Sequence, residues 1–100
     1  MDFNGTTLQH LSRDQCLQLM GQVPVGRIVY TRQALPAVEL VNFTLVDGDI
    51  VIRTDSGGKL AAATRGAVVA FETDSVDIAT HEGWSVTIVG YSREIGRAHV

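Results

Sequence analysis

A single cysteine among 100 residues rules out an intramolecular disulfide, and Cys16 has no Cys-x-x-Cys partner that would point to redox chemistry or zinc. His10, His81 and His99 share no ligand-like spacing with it, so no metal site is expected. Positive charge is scarce too. The 8 Lys and Arg are outnumbered by 11 Asp and Glu, and a net charge of −3 leaves no basic footprint for a nucleic-acid backbone. No apolar run nears the ~20 residues that span a bilayer. The start Met1-Asp2-Phe3-Asn4 lacks the basic, then apolar, pattern of a secretion signal. The cytoplasm is the expected compartment, with neither nucleic acid nor membrane as partner. A nucleotide-triphosphate loop is missing as well. The Walker pattern needs Gly five residues before its Gly-Lys pair and Ser or Thr after it, where this chain has Arg53 and Leu60. Kinase and ATPase chemistry is therefore excluded.

What is present suits one small domain. A chain of this length with 45% hydrophobic residues buries about two-thirds of its unfolded surface. Residues 1–10 are polar and aperiodic and read as a flexible arm, residues 11–95 as the domain, and 96–100 as a tail. Ser12-Arg13-Asp14-Gln15 matches a capping box, and a helix of about ten residues should follow with Cys16, Leu17 and Met20 on one face. Gly21 is expected to stop it in the left-handed conformation. Cys16 is then a small core residue rather than a reactive thiol.

Val23–Thr31 is rich in β-branched residues and gives a first strand, with Pro24 confining its start to an edge. Gln33-Ala34-Leu35-Pro36 turns the chain into a second strand, Ala37–Val46. Val38, Leu40, Asn42 and Thr44 share one of its faces, and Glu39, Val41, Phe43 and Leu45 the other. Neither face is cleanly polar, which suits a barrel wall or a subunit interface. Asp47-Gly48 is the strongest hairpin signal in the chain, because a type I′ turn needs positive φ at both central residues. It pairs the second strand with a third at Ile50-Val51-Ile52.

That third strand runs into Arg53-Thr54, the loop Asp55-Ser56-Gly57-Gly58, and an alanine-rich helix opened by Lys59. Free backbone N–H groups at a helix start, with Arg53, Thr54 and Lys59 close by, make a phosphate cradle. Gly66 ends the helix, Ala67–Thr73 forms a fourth strand, Asp74–Gly83 reads as a polar loop, and Trp84–Tyr91 forms a fifth strand with Trp84, Val86, Ile88 and Gly90 on one face. The class is mainly β: an antiparallel barrel with peripheral helices. The chain stops a few residues past the fifth strand, leaving an edge that either a partner chain covers or a missing C-terminal part would close.

Taken together, six segments resemble the split-barrel flavoproteins related to pyridoxamine 5′-phosphate oxidase. They are Leu-Ser-Arg-Asp-Gln-Cys on the first helix, Val-Gly-Arg-Ile, Val-Asn-Phe, Asp-Ile-Val-Ile-Arg-Thr with Gly-Gly-Lys-Leu, Val-Ala-Phe-Glu, and Gly-Trp-Ser-Val. The resemblance runs from about Leu11 to Glu94. It implies an antiparallel split β-barrel and an FMN site shared between the subunits of a homodimer. By the same resemblance Arg53, Thr54 and Lys59 would hold the flavin phosphate, Val41 and Asn42 would line the isoalloxazine ring, and Trp84 would pack near it. No catalytic residue is implied. The sixth strand and C-terminal arginines of the pyridoxamine phosphate oxidases have no counterpart, so the small-molecule substrate is not transferred. Three functions stay open: an FMN-dependent oxidoreductase, a flavin- or deazaflavin-binding protein without turnover, and a truncated dimer that binds no cofactor.

Overall fold

The computed structural model describes residues 9–53 and 58–93. The arm expected over 1–10 and the tail over 96–100 fall almost wholly outside them. The first helix, α1 (Arg13–Met20), begins with both halves of the capping box: Ser12 Oγ accepts from the Gln15 N–H at 3.2 Å, and Gln15 Oε1 accepts from the Ser12 N–H at 2.8 Å. Its apolar side carries Cys16, Leu17 and fully buried Met20 into the core. Gly21 does cap it, but with φ −67° and ψ −10°, right-handed where the sequence suggested left-handed. The last carbonyls are satisfied without a reversal, because the Gly21 N–H donates to Leu17 O at 3.1 Å and the Gln22 N–H to Leu19 O at 3.0 Å.

Five antiparallel strands follow in the sheet order β3-β2-β1-β4-β5: β1 (Val25–Arg32), β2 (Leu35–Val46), β3 (Asp49–Ile52), β4 (Val68–Asp77) and β5 (Glu82–Tyr91). The β1–β2 turn is tighter than expected. Gln33 (φ 51°) and Ala34 (φ 66°) make it alone, and Leu35 and Pro36 already pair with Arg32 and Thr31. Neither turn residue is Gly, Asn or Asp, so the usual type I′ signal is missing and proline was the only marker. Asp47 (φ 51°) and Gly48 (φ 83°) close the β2–β3 hairpin as their sequence predicts.

The segment Asp74–Gly83 is not a loop. The β4–β5 hairpin keeps its register from Val68↔Tyr91 to Asp77↔Glu82. The turn sits beyond it, where Asp77 Oδ1 accepts from the N–H groups of Ala79 (2.9 Å) and Thr80 (3.4 Å) and His81 adopts φ 58°. Its polar residues are exposed on a projecting ribbon, which is why composition alone suggested irregular chain.

The core gathers Met20, Ile28, Tyr30, Phe43, Phe71 and Val86. The Phe43 and Phe71 rings meet edge to face, centroids 4.9 Å apart at 66°. Thr73 is buried at 1% exposure and satisfied by donating to Val25 O at 3.0 Å. The second helix, α2 (Lys59–Thr64), packs on β1 and is fixed at its far end. There the Gly66 N–H donates to Ser92 O and the Ser92 N–H to Ala67 O, both at 2.9 Å.

Candidate functional site

β3 pairs with β2 only over Phe43–Val46. Before Phe43, among the described residues, β2 has a neighbour on one side only, where β1 pairs with it from Leu35 to Asn42. A free strand edge offers unpaired N–H and C=O groups. Across from this edge stands α2, and between them lies an open groove of about 920 Å³. That volume falls in the range of small-molecule sites, roughly 300–1,000 Å³.

Four of the six residues singled out from the sequence line this groove: Val41 and Asn42 on β2, Arg53 just past β3, and Lys59 opening α2. Register explains the meeting. Ile52 lies opposite Phe43, so Arg53 emerges beside Asn42. Arg53 and Lys59 are both exposed, and among the described residues neither has an ion-pair partner. Leu60 and Ala63 of α2 and Leu40 of β2 add apolar wall. The arrangement suits a ligand with an anionic end and a flat or apolar body.

Thr54 lies outside the described residues. Trp84 lines no part of the groove; it packs against the core from β5, paired with Ser75. The helix start itself offers an anion little. α2 has only 6 residues, and its N-cap Gly58 sits at φ 63° with no side-chain cap, so attraction for an anion rests on the cationic side chains that line the groove.

The sequence reading missed Tyr30, Arg32 and Glu39, which also line the groove. Tyr30 is 7% exposed, and its hydroxyl donates to Glu39 Oε2 at 2.9 Å. That hydrogen bond, then burial, then the carboxylate charge hold the Tyr30 phenol above its ordinary value, with Arg32 partly offsetting them. One signal was available. Glu39 is the only ionisable residue of β2, and it falls on the face shared with Val41, Phe43 and Leu45.

Away from the groove, Arg27 reaches Glu72 at 3.3 Å and Asp74 at 3.8 Å. Desolvation first, and Asp74 second, raise the Glu72 pKa against the pull of Arg27. The described residues contain no cluster able to hold a metal ion, and no helix among them is long and apolar enough to cross a membrane.

The sequence model for the pyridoxamine 5′-phosphate oxidase family matches residues 12–99. The uncharacterized protein Rv0080 of Mycobacterium tuberculosis is 41% identical over 90 residues, a match covering 85% of this chain and 59% of that protein. The chain thus spans about three-fifths of the length of that curated relative. Among solved structures, the FAD binding protein from Mycobacterium smegmatis superposes with a TM-score of 0.77 at 34% identity, covering 88% of this chain and 80% of that one. A candidate pyridoxamine 5′-phosphate oxidase from Corynebacterium glutamicum superposes with a TM-score of 0.63 at 29% identity, covering 79% and 55%. The antiparallel split barrel read from the sequence is the fold this chain shares with them.

Proposed function

The chain belongs to the pyridoxamine 5′-phosphate oxidase family, and from that membership we propose that its groove binds FMN and that the protein is a flavin-dependent oxidoreductase acting on a small organic substrate. The observation that carries the proposal is that Arg53 and Lys59, two cations without a carboxylate partner among the described residues, line one groove walled by β2 and α2. A flavin phosphate would take charge-assisted hydrogen bonds from both. Val41, Leu60 and Ala63 would border the flat ring system, and Asn42 with the open β2 edge would meet its polar atoms. The residues present therefore fit the cofactor. Once bound, a flavin supplies hydride or electron transfer, and the chain's part is to bind, orient and shield it.

The functional unit of this reading is a homodimer. Val38, Val29, Ala70 and Val89 stand in register across four strands on the sheet face that turns away from the core. Val38 and Val89 there are 63% and 68% exposed, with Leu40, Val68 and Tyr91 beside them on the same face. An apolar face this continuous suits a second copy of the chain. Trp84 lies off the groove of its own chain, so a role for it beside the flavin would be exercised on the partner's groove.

Purified protein should absorb in the flavin bands or bind added FMN saturably, and a reduced nicotinamide should bleach the bound flavin under anaerobic conditions. FAD, which the Mycobacterium smegmatis neighbour binds, and a deazaflavin are titrated in parallel. Binding of a deazaflavin but not FMN would reassign the cofactor. Binding without reduction would make the protein a carrier rather than an enzyme, and no binding at all would overturn the proposal.

A further inference from the structure

We infer that Glu39, pinned by the Tyr30 hydroxyl, is the specificity-determining acceptor of the groove, receiving a hydrogen bond from a hydroxyl or ring N–H of the bound flavin. The inference rests on the flavin reading of the groove and adds its second polar end.

The groove offers one carboxylate, Glu39, among the cations Arg32, Arg53 and Lys59. Arg53 emerges opposite Asn42, and Glu39 lies three residues further along β2. At a strand rise of ~3.3 Å per residue the backbones of Asn42 and Glu39 are about 10 Å apart, with their side chains on opposite faces of β2, and both line the groove at its open edge. A ligand with its anion between Arg53 and Lys59 and its body along the β2 edge brings its other end to Glu39. Glu39 is spare for this task. A carboxylate offers about four lone-pair positions, and Tyr30 takes one of them at 2.9 Å. Arg32 lines the same groove, yet no ion pair joins it to Glu39 among the described residues.

Position argues the same way. Glu39 shares its face with Val41, Phe43 and Leu45, which pack against or into the core, yet it is itself exposed to the groove. Core packing does not require a carboxylate there. Tyr30, buried beside it, is a positioning residue: its hydroxyl fixes one carboxylate oxygen and leaves the other acceptor sites to the ligand.

The test titrates FMN and riboflavin into the parent, Glu39→Gln, Tyr30→Phe, the double variant and Lys59→Ala, following flavin fluorescence. Both flavins carry the donors, and only FMN carries the phosphate. Replacing a charged acceptor by a neutral one of the same shape should weaken both flavins about tenfold in Glu39→Gln. Tyr30→Phe should weaken both less, and the double variant should bind no worse than Glu39→Gln alone, because Tyr30 acts through Glu39. Lys59→Ala should weaken FMN only. Melting temperatures close to the parent's for Glu39→Gln and Tyr30→Phe separate these effects from unfolding. Parent-like affinity of Glu39→Gln for both flavins, while Lys59→Ala still loses FMN, overturns the Glu39 assignment and leaves the flavin reading standing. A loss confined to FMN in Glu39→Gln overturns the assignment as well, since Glu39 would then act on the phosphate end. A parent that binds neither flavin removes both.

Discussion

Tyr30 holds its proton through Glu39, and this has a consequence for stability. Its phenol titrates above the ordinary value when the protein is folded, chiefly because the hydroxyl donates to the Glu39 carboxylate and because the residue is buried. The native state therefore keeps a proton that the unfolded chain releases near pH 10. The contribution is whole below about pH 10 and is lost as pH rises from there through the native pKa. Urea midpoints measured from pH 8 upward should thus fall more steeply for the parent than for Tyr30→Phe. Parallel alkaline profiles for the two proteins would mean that Tyr30 carries no such linkage.

At the level of elements, Gly26 sets how closely β1 can approach β4. A methyl group there would overlap the Phe71 ring, with Cε1 at 2.8 Å, and lie 2.9 Å from the Glu72 carbonyl oxygen. Gly26→Ala should accordingly cost about 1–3 kcal/mol through overpacking. In a 100-residue domain a loss of ~1 kcal/mol lowers the melting temperature by roughly 4–8 °C. An unchanged melting curve would show that β4 moves away at no cost.

The legible parts of the chain were those whose signals are local. Ser12 and Gln15 announce a capping box, Asp47-Gly48 announces a hairpin, and alternation in β5 correctly separates buried Val86 from its exposed neighbours. Three features were not legible, each for a physical reason. Gln33-Ala34 turns without turn chemistry because the long β1–β2 pairing imposes it. Asp74, Ser75, Asp77 and Glu82 stay in strands because a cross-strand ladder, not burial, holds them. Tyr30 and Glu39 meet only after β1 folds onto β2, so nine residues of separation hid a contact that the register makes inevitable. The groove was half visible, since Arg53 and Lys59 are close in sequence, whereas the wall they face comes from β2.

On the scale of the whole molecule, one chain leaves much apolar surface open. Leu35, Leu40, Val68, Val89 and Tyr91 are each more than half exposed. Patches of this kind on monomers are uncommon unless they are interfaces. Light scattering should return about twice the 10.8 kDa of one chain, and the interface should bury at least ~1,200 Å² in total. Val89→Asp, on the edge strand of the exposed face, should shift the mass toward one chain. A well-folded parent that stays monomeric at micromolar concentration would contradict the dimer, and with it any contribution of Trp84 to a partner's groove.

Whether the cations that line the groove hold a flavin phosphate is tested most directly by the affinity of Lys59→Ala for FMN against riboflavin. Hydrogen bonds to charged groups contribute about 1.5–3 kcal/mol, so losing the ammonium should weaken FMN roughly ten- to a hundredfold. Riboflavin, which lacks the phosphate, should bind the parent and the variant alike. Lys59 is exposed and opens α2, where alanine is the better helix former, so the variant should melt no earlier than the parent without cofactor. Equal FMN affinity in the two proteins, or an equal loss for both ligands, would contradict the account and leave Lys59 a solvated surface charge.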